Sequence, residues 1–284
     1  MSVLEEIDAT WNSAPDSAER LERGKILLAP MLRFEISESE RRFLTSAYLR
    51  DKAKNISFRP SAGKLTGVCC DNADRAAMTA MLCRFRSQAC SLARAMFGKY
   101  GESLSPGFTT FRPAEIAERK ASWRHDDTRL HVDAFPSRPL QGRRILRIFS
   151  NVNPSAPRVW RAGDEFEMVA SRFLPRVHRP VPGTSWLMAR LRITKGKRTE
   201  YDHVMLEIHD AMKTDEGYQR GSPQEMLEIP PGATWACYTD VVPHAAMSGQ
   251  FALEQTFHLP VDAMCEPARS PLHVLERMMG RKLV

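Results

Sequence analysis

From residue 74 to residue 97 apolar side chains recur every third or fourth position, at Met78, Leu82, Phe85, Ala89, Leu92 and Met96, while Arg75, Arg84, Arg86 and Arg94 fall mostly elsewhere on the wheel. That period predicts a long amphipathic helix with Gly98 as its stop, and its Met and Phe stripe is core packing. Shorter helices are expected over residues 17–28 and from 37 to about 49, separated by Pro30. The second opens on Ser37, with Glu40 three residues on in capping-box spacing. After Tyr100 the texture changes to short alternating pieces broken by Pro and Gly, which predict strands at 108–111, 129–135, 145–152, 234–240 and 250–259. Between them lie helical patterns at 164–173 and 184–191, and a last helix is expected over 271–279. Residues 201–213 fit either period, because Val204, Leu206 and Ile208 alternate while Val204, Ile208 and Met212 share a helical face.

Helices first and strands afterwards point to an α+β domain, a sandwich or barrel supported by helices. A chain of 284 residues with 43% hydrophobic content can build a substantial core, and a single domain is the expectation. It contains no apolar run of about 18 residues, and MSVLEEIDATWNSAPDSAE is acidic where a secretory leader is basic and then apolar. A soluble, cytoplasmic protein is expected. The six cysteines show no paired CxxC spacing, which argues for reduced thiols over a zinc ribbon or a disulfide scaffold. The net charge of +7, with clusters RPLQGRR and TKGKR, favours an anionic partner: nucleic acid, a phospholipid surface, or a phosphorylated or carboxylated substrate.

Candidate chemistry concentrates in TRLHVDAFPSRPLQGRRILRIFSNVN. On a strand, residues i and i+2 share a face, so His131 and Asp133 would converge on one point. A second triplet, His125 with Asp127, sits in the charged run WRHDDTR and reads as a solvated turn. His131 and Asp133 are flanked by Leu130, Val132 and Phe135, as at the edge of a core. For a third ligand the choices are His178, His203, His209, His244, His258 and His273. His244 stands out, between the aromatic and β-branched WACYTDVVP and a Ser248-Gly249 turn.

Two histidines and a carboxylate leave three metal positions open, the arrangement of non-haem Fe(II) oxygenases. Two of those positions suit the keto and carboxylate oxygens of 2-oxoglutarate, and the last suits O2. The far carboxylate of this cosubstrate then needs a cation. Arg147 is the expected anchor, on a strand face with Ile145, Phe149 and Asn151, where an unpaired arginine is costly to bury. Gln255 alternates with Phe251, Leu253 and Phe257 and is expected, with Asn151, among the cosubstrate contacts. Arg144 lies on the opposite strand face.

The runs SWRHDDTRLHVDAFPSRPLQGRRILRIFSNVNP, PRVW, EYDHVMLEIHDAMKTD and PPGATWACYTDVVPHAAMSGQFALEQTFHLP, in that order, resemble the bacterial Kdo hydroxylase family over most of residues 105–262. The resemblance implies an Fe(II)- and 2-oxoglutarate-dependent dioxygenase with a double-stranded β-helix (jelly-roll, cupin-like) core. By position, His131, Asp133 and His244 match the family's iron ligands. The implied substrate is 3-deoxy-D-manno-oct-2-ulosonic acid (Kdo) on lipid A of lipopolysaccharide, hydroxylated at carbon 3 to give Ko. Residues 1–104 would then be helical support, 105–262 the catalytic core with helical insertions, and 263–284 a C-terminal helix. An acidic sugar on a phosphorylated lipid suits the basic surface, with Arg138, Arg143, Arg158 and Arg161 as contacts, peripheral contact with the inner membrane, and no nucleic acid. The rival readings are an oxygenase of the same chemistry acting on nucleic acid or protein, and a non-catalytic protein that binds an anionic glycolipid or carbohydrate.

Overall fold

The computed structural model describes residues 2–8, 16–51, 53–117, 122–181 and 183–284. Part of the acidic N-terminal segment, residue 1 and residues 9–15, therefore lies outside the described residues. In chain order the strands are β1 (Leu4–Glu6), β2 (Ile26–Ala29), β3 (Ile56–Arg59), β4 (Lys64–Thr66), β5 (Ser105–Arg112), β6 (Arg144–Asn151), β7 (Arg158–Gly163), β8 (Gln224–Ile229), β9 (Thr234–Tyr238), β10 (His244–Ser248) and β11 (Ala252–Leu259). Eight form one sheet in the order β1-β2-β9-β6-β11-β5-β3-β4, antiparallel except for β1 with β2. The other three form a second antiparallel sheet in the order β10-β7-β8. The helices are α1 (Ser17–Glu22), α2 (Asn72–Met96), α3 (Phe166–Phe173), α4 (Thr184–Arg190), α5 (Glu200–Thr214), α6 (Glu216–Gly221) and α7 (Pro271–Met279).

The longest helix forms as its period predicts. The Asp71 side chain accepts the Asp74 N–H at 2.8 Å and caps α2. Its buried stripe, Met78, Met81, Leu82 and Phe85, packs with Phe58, Leu65, Phe111 and Leu253 of β3, β4, β5 and β11. This covers the face of β11 that carries Leu253, so the other face of that strand is left to the interior between the two sheets. A second and larger apolar cluster joins β6 and β9 to α3, α5 and α7 through residues such as Leu146, Trp235, Phe173, Ile208 and Leu275.

Residues 201–213, open between two periods, are helical in α5, whose start is fixed by a capping box between Thr199 and Asp202. The capping contact at Ser37 and Glu40 is also present, at 2.9 Å, but it opens two short 3-10 turns, Glu38–Phe43 and Ser46–Tyr48, in place of one helix. Two further expectations are corrected. The helix over 17–28 stops at Glu22. Gly24 adopts φ +80°, and the apolar run Ile26–Ala29, buried at every position, becomes a strand against β9. A short continuous apolar run has no period with which to distinguish a buried strand from a helix.

The strand expected over 129–135 is reduced to one bridge, His131 with His244. Its neighbours' backbone groups are taken by other partners: the Gln219 side chain accepts the Leu130 N–H at 2.8 Å and donates to the Leu130 carbonyl at 3.0 Å, while Asp133 N–H reaches the Thr239 carbonyl at 2.8 Å. A side chain thus replaces part of a ladder, and His131 and Asp133 are still presented toward the same interior.

Candidate metal centre

His131, Asp133 and His244 are all buried, and one ligand atom from each lies within 4.8 Å of the others. The bridge that holds the two histidine backbones is reciprocal, His131 N–H to His244 O at 3.1 Å and His244 N–H to His131 O at 2.9 Å. Each imidazole is oriented by its own Nδ1: that of His131 lies 2.7 Å from the Arg129 carbonyl and that of His244 2.9 Å from the Val242 carbonyl. A carbonyl only accepts, so Nδ1 carries the proton and each Nε2 keeps its lone pair, as a metal ligand requires. Trp160 stacks on His244 at 5.3 Å and fixes the ring plane.

The protonation states agree. Burial, reinforced by the neighbouring His244, pushes the His131 imidazole well below its ordinary value, and burial also lowers His244. Burial alone would raise Asp133, but the Arg147 guanidinium and the other groups around the carboxyl together outweigh it and hold it below its usual range. Arg147 Nη2 lies 2.7 Å from Asp133 Oδ2 without hydrogen-bond alignment, so the contact is an ion pair and that oxygen still lacks a hydrogen-bond donor. Two neutral imidazoles and one carboxylate with an unpartnered oxygen fit a divalent iron ion.

Around this triad is a cavity of about 150 Å³. β5 and β6 line it from the large sheet with Arg112 and Arg147, and β7 and β10 from the small sheet with Arg158, Trp160 and His244; Glu254 of β11 lies behind the two arginines, in the larger cavity. The charges are interlocked. Arg112 donates to Glu254 at 2.8 and 2.6 Å, Arg147 stands 3.1 Å from Glu254, and Lys54 lies 3.1 Å from Asp127. Arg158 differs. It donates to the Gly249 carbonyl at 3.0 Å, its Nε has no partner, and burial together with Arg112 pushes it down to about 9. Among the described residues no carboxylate forms an ion pair with it.

A larger cavity of about 490 Å³ shares Asn55, Arg112 and Arg147 with the first. Its far walls carry Arg59, Arg138, Arg143 and His258. The guanidiniums of Arg59 and Arg138 lie 5.3 and 3.9 Å from the Phe108 ring, and burial and Arg59 depress Arg138.

Arg147 is therefore where the alternation places it, although its charge is already engaged. Asn151 and Gln255 are not in either cavity, and their expected place in the site is corrected. Asn151 Nδ2 donates to the carbonyls of Ala156, Ile229 and Pro230 at 3.1–3.2 Å and pins the β6–β7 connection. Gln255 accepts from Thr109 at 2.6 Å and donates to the Thr256 carbonyl at 2.7 Å, on the face of β11 opposite Glu254. Arg138 and Arg143 line the larger cavity, whereas Arg161 turns to Gln224 and the Thr128 carbonyl at 2.9 and 2.7 Å. Asp127, from the triplet read as a solvated turn, lines the metal cavity; its partner Lys54 is far away in sequence, so no local pattern signals it. Glu254 was detectable, as the one carboxylate in the strand ALEQTFHL.

A family model described as 3-deoxy-D-manno-oct-2-ulosonic acid (Kdo) hydroxylase matches residues 6–282. The structure is similar to that of the Kdo hydroxylase KdoO, described as a non-heme Fe(II) alpha-ketoglutarate dependent dioxygenase. Against its cobalt(II) complex the TM-score is 0.96 at 43% identity, covering 100% of this chain and 98% of that one. Against its complex with alpha-ketoglutarate and Fe(III) the TM-score is 0.95 at 43% identity, covering 99% and 97%. No curated protein matches the chain.

Proposed function

The chain belongs to the Kdo hydroxylase family, and from that membership we propose that it hydroxylates carbon 3 of Kdo, giving Ko, while the sugar is carried on lipid A. It is an Fe(II)- and 2-oxoglutarate-dependent dioxygenase. The observation that carries the proposal is the convergence of His131, Asp133 and His244 beneath a cation-lined cavity. The two facing sheets, with the His131–His244 bridge on the edge strand β10 of the smaller one, are read as a double-stranded β-helix. Residues 105–262 form its catalytic core and 263–284 close it, while residues 1–104, expected as helical support, also add β1–β4 to the large sheet.

Iron(II) held by His131, Asp133 and His244, with 2-oxoglutarate and O2, supplies the oxidising chemistry. The protein's task is to hold, orient and exclude water. The Arg129 and Val242 carbonyls lock the two imidazoles, Arg147 braces Asp133, and Trp160 and Phe149 wall the cavity. Arg158 takes the far carboxylate of 2-oxoglutarate, because it is a buried cation there with no ion pair to any described carboxylate. This shifts the anchor from Arg147, which pairs with Asp133 and Glu254. Arg59 and Arg138 receive the carboxylate of the acidic sugar in the larger cavity. A lipid-borne substrate places the working protein at the cytoplasmic face of the inner membrane.

Anaerobic addition of Fe(II) and 2-oxoglutarate should produce a charge-transfer absorbance, and Kdo-lipid A should gain one oxygen on the sugar, read by mass spectrometry. Absorbance without the added oxygen would move the substrate to another anion; no absorbance would remove the metal site.

A further inference from the structure

We propose that the segment from Arg179 to Lys197, which includes α4, docks the protein on an anionic lipid bilayer beside the mouth of the substrate cavity. Large exposed apolar side chains concentrate here: Val181, Trp186, Leu187, Leu191 and Ile193 are 49–67% exposed. Interleaved with them are exposed Arg179, Arg190, Arg192, Lys195 and Lys197, none of them in an ion pair with a described carboxylate. Between Phe173 and Glu200 the sequence has no acidic residue. Scattered apolar residues are ordinary on a protein surface, but exposed apolar residues concentrated in one segment, with a tryptophan among them and cations interleaved, match the headgroup boundary of a membrane. There an indole and aliphatic side chains bury apolar area while Lys and Arg reach anionic phosphates.

The patch is tied to the cavity wall. The Lys195 N–H donates to the Ser137 carbonyl at 2.9 Å, Gln141 Nε2 donates to the Lys197 carbonyl at 3.2 Å, and the Arg198 guanidinium bonds the Pro136 carbonyl. Pro136, Ser137 and Gln141 line the cavity that adjoins the metal centre. Internally, Thr194 is buried and donates to the Gly196 carbonyl at 2.7 Å, which shapes the turn that carries the cations. A soluble acidic protein would match the charge, but the bilayer also matches a substrate presented on a lipid. That preference rests on the function proposed above; the charge and apolar pattern do not.

The test is flotation of the whole chain, without iron or substrate, with vesicles of phosphatidylcholine alone and of phosphatidylcholine with phosphatidylglycerol. Wild type should prefer the anionic vesicles by at least about tenfold. Trp186→Ser with Leu191→Ser should weaken that binding by about tenfold, and Arg190→Gln with Arg192→Gln and Lys195→Gln should erase the preference for phosphatidylglycerol. Both variants should retain wild-type uncoupled 2-oxoglutarate decarboxylation in solution, which reports an intact fold. Equal flotation with both vesicle types, or flotation unchanged in both variants, would overturn the proposal. Anionic-vesicle binding with no Fe(II) and 2-oxoglutarate absorbance would leave the docking surface standing and remove the catalytic reading; the reverse pair of results would do the opposite.

Discussion

Arg144 and Arg147 project from opposite faces of β6, and their surroundings differ in kind. Arg144 is fully buried and closed: its fork meets Asp240 at 2.7 and 3.2 Å, Nη1 reaches the Met264 sulfur at 3.2 Å, and the guanidinium lies 4.0 Å from the Tyr238 ring. The carboxylate outweighs burial and holds Arg144 above its ordinary value. Around Arg147 the charges are closed less completely. Arg147 Nε, Asp133 Oδ2 and Arg158 Nε are all buried without a hydrogen-bond partner. Each such atom costs about 1–3 kcal/mol unless a partner reaches it. A bidentate pair on one side of a strand and unpartnered atoms on the other separate an ion pair that holds the sheet together from a pocket prepared for ligands.

The largest effects should fall on the open side and on function alone. Asp133→Ala or His131→Ala should lower turnover by at least about a thousandfold and abolish the Fe(II)–2-oxoglutarate absorbance, while thermal unfolding of the metal-free protein remains cooperative. His125→Ala should leave both signals near wild type. Loss of the absorbance in His125→Ala and its survival in His131→Ala would exchange the two triplets.

On the closed side the expected loss is stability. Asp240→Asn leaves Arg144 buried without a counter-charge, at a cost of about 3–5 kcal/mol in denaturant unfolding. Removing both charges, with Arg144→Met and Asp240→Leu, should recover most of that loss, because desolvation of the pair offsets much of its attraction. A double variant no better than Asp240→Asn would mean that the arginine does more than pair.

The two sides were unequally legible. β6, β11 and α2 could be read because each is long and carries recurring large apolar residues, and β9 because TWACY is short but rich in aromatic residues. The triad could be read because its ligands fall beside such elements. β7, β8 and β10 were missed: RVWRAG alternates but carries two arginines, QEMLEI is largely polar, and HAAMS is built of small residues. Gln255 was misplaced for a related reason. β11 is buried on both faces, so burial of a polar residue could not say which face meets the site; the packing of α2 over Leu253 decides it, and that is a tertiary fact. Arg144 was assigned correctly away from the site, but its pairing with Asp240 joins two strands and has no local signature.

Acid should act on the open side first. His131 and His244 are held below the unfolded value of about 6.5. Within the window from that value down to their lowered folded values, the unfolded chain binds protons that the folded metal-free protein does not. Stability is therefore fully present above about pH 6.5 and declines as pH falls, by at most about 1.4 kcal/mol per pH unit for each histidine. His244→Gln should flatten that slope. A metal-free protein whose stability is indifferent to pH between about 7 and 5 would show that these imidazoles are not kept neutral by the fold.

A smaller change, of about tenfold in half-saturation by 2-oxoglutarate, is expected for Arg158→Gln, with iron binding retained. Arg147→Gln should instead weaken iron retention, since it removes the cation that braces Asp133. An unchanged 2-oxoglutarate requirement in Arg158→Gln, together with a raised one in Arg147→Gln, would return the anchor to β6.

The smallest effect belongs to Gln255, which lies in the large sheet near the site but on the covered face of its strand. Gln255→Leu alone leaves the Thr109 hydroxyl without its acceptor and should cost about 1–2 kcal/mol of stability. Pairing it with Thr109→Val removes both polar groups, and because apolar replacements of similar shape can be nearly neutral, most of the loss should return. Neither variant should change half-saturation by 2-oxoglutarate, since Glu254 and Thr256 on the other face are untouched. A shift in that parameter for the double variant would show that the two faces of β11 are mechanically coupled, and that closure around Arg147 depends on packing beneath the sheet as well as on the charges above it.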